Sequence, residues 1–118
     1  MPHTFTFDAA RKRITVFVTP PVSEYAALVG LRELRTHPEF RTDYGILIDV
    51  QAADRPPSAS GAIELGNVMK AFFPGQKIAV VSPNPVTTEW AFLLVTASSK
   101  VHLYYFKESS EAEAWLAS

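Results

Sequence analysis

The chain has 118 residues, a length that fits one domain, and we expect residues 1–118 to form that single domain. Apolar residues make up 47% of the sequence and charged residues 19%, so the chain can bury a core and does not belong to the disordered class. A net charge of −1 argues against a dedicated nucleic-acid binder. The absence of cysteine excludes disulfides, thiolate zinc sites and cysteine nucleophiles.

The sequence also predicts no membrane span and no secretory signal. No apolar run approaches the roughly 20 residues that cross a bilayer. Residues 1–5 lack a charged segment followed by an apolar one. We therefore expect a cytoplasmic protein.

The chain begins with two β-rich stretches. Phe5 and Phe7 alternate with threonines, and after a polar break at 8–12 a second alternating run contains Ile14, Val16 and Val18. Two such runs joined by a short polar segment predict a β-hairpin.

A helix is predicted next, with Ser23 as its N-cap and an end before Pro38. Its apolar stripe is predicted to contain Tyr25, Leu28, Val29 and Leu34, with Leu31 partly off it.

Two short, continuous apolar runs follow, at 44–50 and 78–81. Such runs are typical of strands covered on both faces in a parallel sheet. We expect them to be adjacent central strands.

The remaining elements complete an alternating pattern. A helix opening at Ser58–Gly61 is predicted to end at 74–75, and its apolar side comprises Ile63, Leu65, Val68, Met69, Phe72 and Phe73. A helix over about 86–98, a strand over 101–106 and a short helix over 109–116 follow, the last capped by Ser109 or Ser110. We expect the aromatic end of the last strand, 104–106, to pack under this helix near Trp115.

The order β-β-α-β-α-β-α-β-α predicts an α/β fold with a five-stranded, mostly parallel sheet. The order, the length, the stretch 40–50 and the closing stretch 111–116 resemble the SpoIIAA-like family, whose fold STAS domains share, and the closing stretch is similar to the last helix of bacterial members. The resemblance implies one SpoIIAA-like domain that acts as a non-enzymatic regulatory or protein-interaction module without a cofactor. The alternative that it leaves open is a binder of a small apolar or anionic, lipid-like ligand.

The resemblance also bears on phosphorylation. Anti-sigma-factor antagonists of this family carry a phosphorylatable serine in an Asp-Ser-Ser/Thr-Gly motif at the start of the second helix. When Gly61 is aligned with the motif's glycine, Ala59 falls at the acceptor position and Ser58 replaces the aspartate; a shift of one residue offers Ser58 or Ser60 instead. We expect no stoichiometric phosphate on either serine.

The candidate ligand- or partner-binding residues are Asp49, Arg55, Ser58 and Ser60. In open α/β sheets, ligands and partners meet the carboxyl ends of parallel strands, where a helix N-terminus offers N–H groups. The competing interpretation makes one serine a helix cap and Arg55 a solvated charge. We expect the carboxylate of Asp49 to accept hydrogen bonds from the loop that follows it.

The helix predicted over 86–98 is apolar around much of its circumference. Trp90, Phe92 and Val95 are its candidate residues for a homodimer interface or an apolar ligand groove. A helix enclosed by the sheet and its neighbours is the equally weighted alternative.

The sequence contains no recognisable catalytic motif. His3, His37 and His102 are scattered, and the sequence contains no nucleophile elbow, dinucleotide-binding glycine motif or P-loop. We therefore expect neither an enzyme nor a metal site.

Overall fold

The computed structural model describes residues 3–18, 24–50, 58–82 and 102–118. Within these ranges the chain forms an α/β structure of five strands in one sheet and three helices. The strands are β1 (His3–Asp8), β2 (Arg13–Val18), β3 (Gly45–Asp49), β4 (Lys77–Val81) and β5 (His102–Phe106), and the helices are α1 (Glu24–Arg35), α2 (Ala59–Phe72) and α3 (Ser109–Ala117).

The sheet order is the chain order, β1-β2-β3-β4-β5. β1 pairs antiparallel with β2, and all other neighbours are parallel, which confirms the predicted hairpin and the α/β class with a mostly parallel sheet. The two apolar runs are the adjacent strands β3 and β4, as predicted. The helix predicted over 86–98 lies outside the described residues.

One face of the sheet, here called the first face, carries the main core with α1 and α2. Its strand residues alternate with those of the other face, as a pleated backbone requires. The buried members of this core are Ile14, Val16, Val18, Leu31, Leu34, Phe40, Ile46, Ile48, Leu65, Met69, Phe73, Ile78, Val80 and Leu103. Because successive parallel strands advance in one direction across the sheet, crossovers of the usual right hand place α1 and α2 side by side on this face.

The buried stripes of the two helices differ from the predicted ones. Leu31 is buried, whereas Tyr25 is 77% exposed in the first turn of α1. The stripe thus passes through Leu28, Leu31 and Leu34, a helical spacing that leaves Tyr25 near its edge. In α2, Leu65 and Met69 are buried four residues apart, and Ile63 lies on the exposed side.

The opposite face, the second face, is covered in part by α3. Ala112 of this helix is fully buried against Leu47, Ala79 and Val81. Trp115 packs across the end of β5.

The predicted packing of the aromatic end of β5 against α3 near Trp115 is confirmed for Tyr104 and Phe106 but not for Tyr105. The ring centroids of Tyr104 and Phe106 lie 5.1 Å and 5.7 Å from that of Trp115. Tyr105 instead packs against the core of the first face, because successive strand residues point to opposite sides.

An ion cluster on the second face joins the hairpin to α3. Arg13 is buried, and its Nη1 lies 2.6 Å from Oε1 of Glu113. These two atoms form an ion pair, but their angles do not fit a hydrogen bond. The Nε atom of Arg13 has no hydrogen-bond acceptor among the described residues. Arg11 contacts the other oxygen of Glu113. One carboxylate therefore serves two guanidinium groups.

The two ends of α3 are held differently. Its N-cap is Glu108, which makes no side-chain capping bond, so the prediction of Ser109 or Ser110 as the cap is wrong. Glu108 is the last extended residue, and its carbonyl accepts the first helical bond, from the N–H of Ala112. At the other end, Nζ of Lys77 donates to the carbonyl of Trp115 and lies 5.3 Å from its ring centroid. A cation near helix C-terminal carbonyls stabilises that end.

Within the described ranges, the helices fall short of the length and hydrophobicity that a bilayer crossing demands.

The ion cluster predicts an unequal response to charge removal. Replacing Glu113 by alanine leaves the buried Arg13 without its counter-charge. We expect the free energy of unfolding to fall by about 3 kcal/mol. This is the low end of the range for a buried pair, because the Glu113 side chain is 30% exposed. Urea denaturation measures this. The exposed Glu111 of the same helix supplies the control, and Glu111→Ala should cost less than about 1 kcal/mol. Equal losses for the two variants would contradict the cluster's role, and adding Arg13→Met to Glu113→Ala should recover part of the loss.

His3 predicts an acid sensitivity. Gly30 makes room for its ring, since a Cβ there would lie 2.6 Å from imidazole atoms. Burial lowers the pKa of His3 below its ordinary value of 6.5, against an opposing effect of Glu33. The unfolded chain therefore takes up this proton first, and stability should fall as the pH drops below about 6.5.

The measurement compares the melting temperature at about pH 7.5 and 5.5, above the range where most carboxylates titrate. His3→Gln should shrink the difference, whereas His102→Gln, at an exposed histidine, should leave it unchanged. A drop that is the same in all three proteins would rule out His3 as its source.

Candidate functional site

The predicted binding residues that the structure describes lie at the carboxyl end of the parallel strands. Asp49 is the half-buried last residue of β3, and Ser58 is the N-cap of α2, the helix that follows it. Ser60 lies in the first turn of this helix. Arg55 and the loop that follows Asp49 lie outside the described residues. The role of Arg55, as a ligand-binding residue or a solvated charge, therefore stays a prediction, and so do the hydrogen bonds expected from this loop to Asp49.

Ser58 acts as a helix cap. Its backbone is extended, and its hydroxyl oxygen accepts a hydrogen bond from the N–H of Gly61 at 3.1 Å. The hydroxyl oxygens of Ser58 and Ser60 lie 3.3 Å apart. The first turn of α2 contains no acidic side chain, so these hydroxyls are the polar groups that it presents at the positive end of the helix dipole.

Exposed apolar side chains occur at the same end. Of the four large hydrophobic residues exposed among those described, three lie here. Phe17 is 43% exposed next to the last residue of β2, where it pairs in register with Asp49. Tyr25 and Ile63 lie in the first two turns of α1 and α2, which begin at the carboxyl ends of β2 and β3.

We call this end of the sheet the carboxyl edge. Its residues of interest are Phe17 and Asp49, on the second face, and Tyr25, Ser58, Ser60 and Ile63, in the helices of the first face. Its chemistry is that of recognition: hydroxyls and one carboxylate supply directional hydrogen bonds, and three apolar side chains supply area to bury.

The apolar part of this edge was missed by sequence reasoning. For Phe17 the sequence did contain an indication. Ile14, Val16 and Val18 point to the buried side of β2, so Phe17 points with Thr15 to the other side. A large aromatic residue on the polar phase of a strand is expected to be exposed when no other element covers that side of the sheet. No such signal marked Tyr25 and Ile63, because both match a helical apolar spacing.

The histidines are as scattered in the structure as in the sequence. His37 packs on the rings of Phe5 and Phe7, with centroids 6.1 Å and 4.5 Å away, and its Nδ1 accepts the N–H of Glu39. His102 is exposed at the start of β5. Across the part of the chain that the structure describes, no three His, Asp or Glu side chains are placed to share a metal ion.

The candidate dimer or groove residues Trp90, Phe92 and Val95 lie outside the described residues. Their assignment stays a prediction.

Comparisons of the chain with family models, curated proteins and solved structures found no match. The resemblance to SpoIIAA-like domains therefore remains an expectation that rests on the sequence pattern.

The cap at Ser58 predicts a difference between neighbouring serines. Ser58→Ala leaves the N–H of Gly61 without its acceptor and should lower the free energy of unfolding by about 1 kcal/mol. Ser60→Ala removes an exposed hydroxyl and should change it by less than about 0.5 kcal/mol. Ser58→Asp should retain the stability, because aspartate also caps helices well. If Ser58→Asp loses as much as Ser58→Ala in urea denaturation, capping is not what Ser58 contributes.

Proposed function

We propose that this chain is a non-enzymatic regulatory or protein-interaction module, as its resemblance to SpoIIAA-like domains implies, and that its protein partner binds at the carboxyl edge. The observation that carries the proposal is the coincidence, at one end of the sheet, of exposed apolar side chains with the hydroxyls of an α2 N-terminus.

The apolar residues support a macromolecular partner. Phe17 lies at the edge on the second face of the sheet, whereas Tyr25 and Ile63 reach it from the helix layer on the first face. Residues on the two sides of the sheet are covered together only by a partner large enough to span its end. Full burial of one such side chain contributes about 1.5–3 kcal/mol, so partial burial of three offsets part of the cost of association.

The polar residues support specificity. Ser58 and Ser60 hold their hydroxyls side by side at 3.3 Å, and Asp49 pairs in register with Phe17 on the neighbouring strand. A partner that buries the apolar side chains also meets these polar groups, whose fixed positions restrict which partners fit.

The experiment uses a photoreactive amino acid at positions 25, 63 and 104 of the full chain, in the cells from which the protein comes. Tyr104 is the matched control, since it is a 49% exposed aromatic residue in the middle of β5. Positions 25 and 63 should both crosslink to the same protein, and position 104 should not. Equal crosslinking at all three positions, or none at 25 and 63, would contradict the proposal.

A second measurement checks the affinity of the identified partner. The double variant Tyr25→Ser, Ile63→Ser should weaken its binding by tenfold or more, which corresponds to about 1.4 kcal/mol. Tyr104→Ser should leave binding unchanged, with circular dichroism showing that every variant is folded.

A further inference from the structure

The opposite end of the sheet contains an open groove of about 280 Å³. It lies where β3 and β4 begin, between the hairpin turn, the segment before β3, the turn before β4 and the end of α3. We call it the amino-edge groove. Its charged lining residues are Arg11, Lys12, Asp43 and Lys77.

Polar contacts fix the walls of this groove. Gln76 is buried, and its side-chain amide donates to the carbonyls of Arg41 and Tyr44 at 3.2 Å and 2.9 Å. The N–H of Gly45 donates to the carbonyl of Lys12 at 2.9 Å, which ties the hairpin turn to the start of β3. The groove is therefore formed by the folded chain and does not depend on a ligand to assemble it.

The charges at this end are unbalanced. Arg11 and buried Arg13 share a single carboxylate, that of Glu113, so the cluster beside the groove retains one positive charge. Nζ of Lys77 is held by the carbonyl of Trp115 and by a main-chain oxygen of Ser118, so we do not count it as a free positive charge of the groove. A cationic groove on a chain whose net charge is −1 is a local feature, not a consequence of composition.

Lys12 is the cation best placed to receive a ligand. Its only described ion pair is with Asp43, at 3.6 Å, and the two side chains are 68% and 62% exposed. An exposed pair at this distance is weak and exchanges readily with another anion. The backbone of Lys12 has a φ of 52°, a conformation that is uncommon for residues other than glycine and that is held by its bonds to Ala9 and Gly45.

We propose that the amino-edge groove binds a small organic anion through a phosphate or carboxylate group. An oxyanion placed there replaces Asp43 at Lys12 and accepts from the exposed guanidinium of Arg11, whose planar fork suits a group with two oxygens. The volume admits a small molecule, and the open mouth lets the rest of the ligand extend into water. This site is at the other end of the sheet from the proposed partner surface, so the two proposals succeed or fail separately.

The test titrates the full chain with pyrophosphate and, in a second arm, with citrate, while amide chemical shifts are recorded by NMR. Saturable shifts at residues 12, 44, 45 and 76 are expected with at least one of the probes at about 10 mM, a concentration that detects millimolar dissociation constants. The tighter probe shows whether the groove prefers a phosphate or a carboxylate. Shifts that do not saturate, or that spread evenly over the surface, would overturn the proposal.

Substitutions then separate the groove from general charge effects. Lys12→Gly should weaken binding fivefold or more while keeping the fold, because glycine adopts a positive φ without strain. Asp43→Asn removes the competing carboxylate and should tighten binding twofold or more. Lys107→Ala, at an exposed lysine that follows the carboxyl end of β5, is the control of equal charge. An equal loss in Lys12→Gly and Lys107→Ala would show that only the net charge matters.

Discussion

The arrangement of the second face depends on a single constraint, the burial of a guanidinium group beneath α3. Arg13 is the first residue of β2 and points to the face on which Leu47, Ala79 and Val81 form an apolar surface. A buried cation without a counter-charge is strongly destabilising, so α3 must bring Glu113 to this point of the sheet. The position of the helix is thus selected by charge as well as by apolar packing.

The same constraint limits what can lie beside it. Gly45 pairs with Arg13 in register, and a Cβ at this glycine would lie 3.2 Å from Leu116 and 3.8 Å from Nε of Arg13. The absence of a side chain at this strand position therefore lets α3 and the arginine approach the sheet together. Arg11 supplies the remaining contact to Glu113 from the turn, so the hairpin and the closing helix act as one structural unit.

The elements that the sequence predicted correctly are those whose pattern is unmistakable within a few consecutive residues. The runs that became β3 and β4 are apolar at nearly every position, and a strand with no polar phase has to lie inside a sheet. The cap of α2 was predicted for a similar reason, as one of the two serines at 58 and 60 where a helical pattern begins, and the structure shows that it is Ser58. The buried state of Arg13 had no such signal, because its partner Glu113 lies 100 positions away in the chain. The candidate site shows the same division, since the polar residues follow from helix chemistry, whereas the exposure of Tyr25 and Ile63 depends on how two helices rotate on the sheet.

The identity of chain order and sheet order has a kinetic meaning. Among the five strands that the structure describes, every hydrogen-bonded neighbour is also the next described strand along the chain, so none of these pairings has to wait for a strand that comes later. The entropy lost on closing a loop grows only slowly with its length, and each connection here brings together consecutive elements. Parallel sheets usually fold slowly because their contacts are distant in sequence. In this chain the sheet can instead grow outward strand by strand from the β1–β2 hairpin, whereas the contact of Glu113 with that hairpin, the most distant in sequence among those described, forms only when the last helix docks.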